Sequence, residues 1–175
     1  VFNLYGVNLF PSSKGAVSSE VMLYFCPLNI NEITPDQAEL IEPWLTEDEL
    51  IKVSRYIQAT DRDKGLMVRG YLRGILSLYS AIDLNIKPQD WRFKYAEKGK
   101  PTLTAEFNAS TGIKFNISHS GDWLVVALIT CDQASIVDDF DIELGVDIER
   151  SRESTNIYPI LSHYFTQIEA DELLA

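Results

Sequence analysis

The chain has 175 residues, 46% of them apolar and 23% charged, a balance that fits one packed domain or two small subdomains and excludes collagen-like, disordered and disulfide-scaffold classes. Fifteen Lys and Arg against 26 Asp and Glu leave a net charge of −11, so nucleic acid and anionic membrane surfaces meet net repulsion, and any anionic ligand must be held by local cations. Apolar stretches such as 123–129 fall far short of the roughly 20 residues that cross a bilayer, and no basic segment leads into an apolar core near the start, so the chain reads as cytoplasmic, without membrane or nucleic-acid partners.

In chain order, residues 20–26 (EVMLYFC) form a strand pattern with Val21, Leu23 and Phe25 on one face, followed by a Pro-bounded loop. Thr46 and Glu49 make a capping box, with Leu45 and Leu50 placed as its hydrophobic staple, opening a helix expected to reach about Gln58. A second helix is expected from Thr60/Asp61 to Tyr79, with Val68, Leu72, Ile75, Leu76 and Tyr79 as its core face. Gly65, Gly70 and Gly74 each cost that helix about 1 kcal/mol relative to Ala, which close approach of another backbone would offset. Residues 91–95 alternate as a strand and 97–101 form a charged turn. Further strand-like runs lie at 114–117, 123–130 and 144–148, the last two separated by an acidic insertion near 131–143. Cys26 and Cys131 read as buried thiols. A helical region at 157–164 precedes a last helix opened by a Thr166/Glu169 box. That helix reaches Ala175 without a Gly or Asn cap, and the chain begins at Val1 without an initiator Met, so natural sequence is expected to continue beyond Ala175. The mixture of strands and two helix clusters, without internal repeats, makes an α+β fold.

Three groups of residues can carry chemistry. In Gly145-Val146-Asp147-Ile148-Glu149 an extended backbone sends Val146 and Ile148 to one side and both carboxylates to the other, a pair of hard oxygen ligands suited to Mg²⁺ beside a phosphate. The plainer alternative is an edge strand with a solvated polar face. In Phe115-Asn116-Ile117-Ser118-His119-Ser120 a histidine between two hydroxyls could bind phosphate. It could also belong to a hydrolase, but no G-x-S-x-G elbow is present, and adjacent residues on an extended segment point apart. Finally, Arg62, Arg69 and Arg73 form one stripe on the second helix. With Lys52, Arg55, Lys98 and Lys100 nearby they offer a local anion site, the alternative being a solvated face. Zinc spacings, a P-loop and a G-x-G-x-x-G are all absent.

Taken in order, these segments resemble the 4'-phosphopantetheinyl transferase superfamily, of the monomeric type that includes the surfactin-synthetase-activating enzymes. The residues carrying the resemblance are Lys52 and Arg55, the 61–73 helix ending in Leu72-Arg73, Gly99-Lys100-Pro101, 115–120, 145–149, and Phe165 with Glu169. The resemblance implies Mg²⁺-dependent transfer of the phosphopantetheine arm of coenzyme A to a serine of an acyl or peptidyl carrier protein, with release of adenosine 3',5'-bisphosphate. It implies a monomer of two similar α/β halves related by a pseudo-twofold axis, with coenzyme A between them. Residues 1–143 would form the N-terminal subdomain and 144–175 an incomplete second one.

By position in the motifs, the resemblance makes Asp147 and Glu149 metal ligands and Glu169 a candidate base. It makes Lys52, Lys64, Gly99, Lys100, Pro101, Ser118 and His119 coenzyme A contacts. Lys64 stands where the family often has an arginine, keeping the charge without the bidentate fork. The family's Lys-Glu segment, with a third metal ligand, has no counterpart among these 175 residues, so this chain is expected to bind the metal weakly and to be impaired. The competing readings are a non-catalytic coenzyme A or carrier-binding module and a small hydrolase using His119.

Overall fold

A computed structural model describes residues 5–8, 21–29, 35–80, 84–95, 99–130, 143–150 and 158–174. Cys131 and nearly all of the acidic insertion lie outside them. Strands β1 (Tyr5–Asn8), β2 (Met22–Pro27), β5 (Ile113–Ser120) and β6 (Trp123–Thr130) form one antiparallel sheet in the order β1-β2-β6-β5, and β3 (Phe93–Tyr95) pairs with β4 (Pro101–Leu103) in a separate hairpin. The helices are α1 (Pro35–Ile41), α2 (Glu47–Ser54), α3 (Ala59–Tyr79), α4 (Ala105–Thr111), α5 (Tyr158–Tyr164) and α6 (Gln167–Leu174). This is the mixed α+β class expected. Among the described residues no helix is long and apolar enough to cross a membrane.

The main core lies between α3 and one face of the four-stranded sheet. Leu124, Leu128 and Phe115 from the sheet join Tyr71, Leu72, Ile75 and Leu76 of α3, and α1 closes the side with Ile41. On β2 the residues packed into this core are Tyr24 and Cys26, not the Val21, Leu23, Phe25 set, because both faces of β2 are apolar and alternation does not choose between them. Burial pushes the Cys26 thiol up to about 12, so it stays protonated and inert at neutral pH. The α3 core face is wider than expected: Met67, Gly70 and Arg73 are buried alongside Leu72, Ile75 and Leu76, while Val68 and Tyr79 are half-buried.

Several local readings change. The Thr46/Glu49 box is present, but α2 ends at Ser54, four residues early, and the carbonyls of Tyr56 and Ile57 beyond it accept from the Arg62 guanidinium rather than from helical amides. What approaches Gly70 is a side chain, not a backbone: a Cβ there would lie 2.3 Å from Cγ2 of the fully buried Ile41. The 27–45 loop contains α1, and Trp91 precedes β3 as a fully buried anchor whose indole N–H donates to the Ser77 hydroxyl at 2.9 Å.

The arginines of the stripe are engaged by the protein itself. Arg73 is buried, with Nη2 2.7 Å from Glu49 Oε2 and Nη1 donating to the carbonyls of Pro88 and Trp91. Arg69 donates to the Gly65 carbonyl, and Arg62 to those of Tyr56 and Ile57. Helical spacing placed the three on one stripe, but the fold directs them to carbonyls and a buried carboxylate.

Candidate active site

The site grows from the parity of β5. Phe115 pairs with Leu128 and Ile117 with Val126 on the core face, so Asn116, Ser118 and Ser120 leave by the outer face. There they meet residues 144–150, which are extended but belong to neither sheet, a correction to the strand expected at 144–148. Side chains of β5 hold this segment where backbone pairing would hold a strand. Asn116 Nδ2 donates to the Leu144 carbonyl at 2.9 Å. The Ser118 hydroxyl donates to Asp147 Oδ1 at 2.6 Å and accepts from the Ile148 amide at 3.3 Å. The Ser120 hydroxyl repeats the arrangement one step on, donating to Glu149 Oε2 at 3.0 Å and accepting from the Arg150 amide at 3.2 Å.

The alternation expected of an extended chain survives in 144–150: Val146 and Ile148 are half-buried, while Asp147 and Glu149 are exposed on the same side. Each carboxylate therefore has one oxygen bonded to a serine and a second with no hydrogen-bond partner among the described residues. Two hard oxygen donors with open valence suit Mg²⁺, which takes one or two carboxylates and completes its octahedron with water and phosphate oxygens. No cluster of three or more acidic, His or Cys side chains exists among the described residues.

Two lysines frame the segment. Lys100 follows Gly99, whose φ of +80° turns the chain into β4 at Pro101, and its ammonium reaches the Leu144 carbonyl at 3.3 Å. Lys64, on α3, donates to the Gly121 carbonyl at 2.9 Å and to Asp122 at 2.8 Å, fixing the two-residue turn between β5 and β6. The Lys64 hydrogen bond, and then its charge, holds the Asp122 carboxyl below the usual range. Gly121 takes φ +60° in this turn, a conformation that favours glycine. Behind it lies a cavity of about 280 Å³ lined by Ser120, Trp123, Glu149 and Arg150 among others.

The other expected site residues stand apart from this cluster. His119 has the parity of Phe115 and Ile117, opposite Leu124, so its exposed imidazole leaves the other face of the strand from Ser118 and Ser120. That separation is poor geometry for a Ser118–His119 nucleophile–base pair. Lys52 stacks its ammonium 4.0 Å over the Tyr95 ring, beside a cavity of about 250 Å³ shared with Arg92 and Phe93. Burial, and then the neighbouring Glu49 charge, raises the Tyr95 phenol above its ordinary value.

Glu169 is the third residue of α6, and its Oε2 accepts from the Thr166 amide at 2.8 Å and hydroxyl at 2.9 Å, with no other partner among the described residues. These bonds, the backbone one first, lower its pKa below the ordinary 4.5 and weaken it as a proton acceptor. A depressed folded-state value means that the cap is fully formed above 4.5 and is lost as pH falls through the folded midpoint. The Thr166 amide shift in an NMR titration is therefore expected to move with a midpoint below 4.5, and Thr166→Ala to bring the Glu169 midpoint back up. A midpoint at or above 4.5 in the parent chain would contradict the capping role.

Sequence reasoning missed the part played by Asn116 and Ser120, although their i, i+2 spacing with Ser118 marks a polar face on the strand. Residues 32–131 match the family described as 4'-phosphopantetheinyl transferase, N-terminal. The chain is 28% identical over 163 residues to the 4'-phosphopantetheinyl transferase HetI of a Nostoc species, covering 93% of this chain and 61% of that protein. It is 26% identical over 151 residues to a putative 4'-phosphopantetheinyl transferase of Synechocystis, covering 86% and 53%. To the 4'-phosphopantetheinyl transferase Sfp of Bacillus subtilis it is 26% identical over 144 residues, covering 82% and 54%. The chain thus spans between half and two thirds of the length of the curated relatives it matches. Because the family match occupies more than half of the chain, this protein belongs to the 4'-phosphopantetheinyl transferase family, matched in its N-terminal part.

Proposed function

We propose that this protein transfers the 4'-phosphopantetheine arm of coenzyme A to a serine of an acyl or peptidyl carrier protein. The observation that carries the reading is the Asp147/Glu149 pair, projecting together from a segment docked on β5 with one oxygen of each carboxylate open. In the step itself the carrier serine oxygen bonds to the β-phosphorus, the pyrophosphate P–O bond breaks, and adenosine 3',5'-bisphosphate leaves with the electron pair. Asp147 and Glu149 would hold Mg²⁺, which would supply charge neutralisation at the diphosphate.

The rest is done by the chain's own residues. Lys52, Lys64 and Lys100 bring positive charge to a molecule of net charge −11, which an anionic substrate requires. Lys64 has two acceptors in the β5–β6 turn, so one of its three N–H donors remains for a phosphate. Gly99 and Pro101 shape the turn that presents Lys100, Ser118 backs Asp147, and His119 offers ring N–H to a phosphate on the other face of β5. Glu169, a weakened base because Thr166 occupies its Oε2, is the candidate acceptor of the serine proton through Oε1. Residues 1–143 form a first half and 144–175 belong to a similar second half, in a monomeric cytoplasmic enzyme with coenzyme A in the cleft between halves.

The test is to incubate the chain with coenzyme A, Mg²⁺ and an apo-carrier protein and to follow the carrier by mass spectrometry. A Mg²⁺-dependent gain of one phosphopantetheine on the carrier serine is expected. Coenzyme A binding indifferent to Mg²⁺, with no modification of the carrier, would make this a binding module instead. Release of acid from model esters without a divalent ion would make it a hydrolase.

A further inference from the structure

The two serines of the outer face repeat one arrangement at the period of a strand. Each hydroxyl accepts from the amide of one residue and donates to the carboxylate of the residue before it: Ser118 on Ile148 and Asp147, Ser120 on Arg150 and Glu149. We propose that Ser120 is a positioning residue for the metal-binding pair, holding the Glu149 carboxylate beside that of Asp147. The use of the metal rests on the transferase reading above; the hold on the segment does not.

The physical need for such a residue follows from length and exposure. Neighbouring same-face residues of an extended chain lie about 6.5–7 Å apart, whereas two oxygens bound to one Mg²⁺ at 2.0–2.1 Å lie within roughly 4 Å of each other. The carboxylates must converge, and Glu149, with one more rotatable bond than Asp147, has the greater freedom to lose. It is exposed. The Ser120 hydroxyl removes part of that freedom before any ion arrives and fixes the backbone beneath it through the Arg150 amide. Ser120 is itself fixed, being paired with Trp123 across a turn whose Gly121 carbonyl and Asp122 carboxylate are gripped by Lys64. Residues that orient a metal ligand in this way typically change affinity by 10–100-fold when removed.

The experiment uses the 175-residue chain and two readouts: Mn²⁺ affinity by electron paramagnetic resonance, as a stand-in for Mg²⁺, and amide hydrogen exchange by NMR. Ser120→Ala is expected to weaken Mn²⁺ binding by about tenfold and to speed exchange of the Arg150 amide. Amides of β6 should stay protected, showing that the sheet is intact. Ser120→Thr, which restores the hydroxyl, is expected to return both readouts to within about twofold of the parent chain. The inference is overturned if Ser120→Ala leaves Mn²⁺ affinity within twofold of the parent, or if Thr fails to rescue. Should the parent take up no Mn²⁺, or should Asp147→Ala not reduce its uptake, the metal reading falls and with it the role assigned to Ser120 at the metal. Arg150 exchange would then still decide whether Ser120 holds the segment.

Discussion

Replacing Arg73 by Met is expected to lower the free energy of unfolding by about 3–5 kcal/mol, a large part of the 5–15 kcal/mol that a domain commonly has. Arg73 is 1% exposed and Glu49 4%, and their side chains meet at 2.7 Å. The loss does not come mainly from the missing attraction. A buried ion pair roughly breaks even against apolar residues of similar volume, because desolvation offsets the Coulomb term; removing one partner leaves a charge with nothing to compensate it. Glu49 would retain only the Thr46 amide and hydroxyl, at 3.0 and 3.2 Å, and a longer contact to the Tyr95 hydroxyl. The carbonyls of Pro88 and Trp91 would lose their guanidinium donor as well.

Urea unfolding of the variant and of the double variant Arg73→Met, Glu49→Gln separates these contributions. If the uncompensated carboxylate dominates, the double variant recovers a substantial part of the loss. If it is no more stable than Arg73→Met alone, the two carbonyls account for the cost. The junction matters to the site because α2, α3 and the segment before β3 meet at this guanidinium: α2 carries Lys52, and the β3–β4 hairpin leads through Gly99 to Lys100. Loosening it is expected to displace Lys52 and Lys100 before it disturbs the β5 side.

Why Arg73 reads as a surface residue in the sequence shows where such reading stops. Helical spacing gives the stripe on which a residue lies but not what packs over it, and the carbonyls that receive Arg73 come from residues 88 and 91, beyond the end of α3. Signals contained within a few residues were legible: the Thr46/Glu49 and Thr166/Glu169 boxes both form, because a cap is built from one turn and its own flank. The continuous apolar run of β6 was legible as a strand, and it is buried throughout from Leu124 to Ile129. Helices α1 and α4 carried readable marks, Pro35 and Asp36 at the start of one and the left-handed Gly112 closing the other, but each is only seven residues long and has a weak periodic signal. The pairing of Asp147 with Glu149 on one side followed from alternation alone. That the segment is held by side chains of β5, and not by a backbone ladder, depended on a neighbour about 30 residues away.

Asp147→Asn is expected to reduce carrier modification by at least about a hundredfold while leaving the unfolding midpoint in urea almost unchanged. The substitution keeps the side-chain volume and a carbonyl oxygen to accept from the Ser118 hydroxyl, so the bond now made at 2.6 Å has a successor. It removes the negative charge and one of two anionic donors. With only two such donors in the described site, the loss of one halves the protein's anionic contribution to the metal and cannot be shared among remaining ligands. Asp147 is exposed, so its replacement leaves no buried group without a partner, which separates this variant from Arg73→Met: one is expected to lose activity at unchanged stability, the other to lose stability. Raising Mg²⁺ well above the level that saturates the parent chain should recover part of the rate if Asp147 acts as a ligand, because a weakened site still fills by mass action. If the rate is unaffected at limiting Mg²⁺, the ion does not bind at Asp147, and the ligand role assigned to that carboxylate falls.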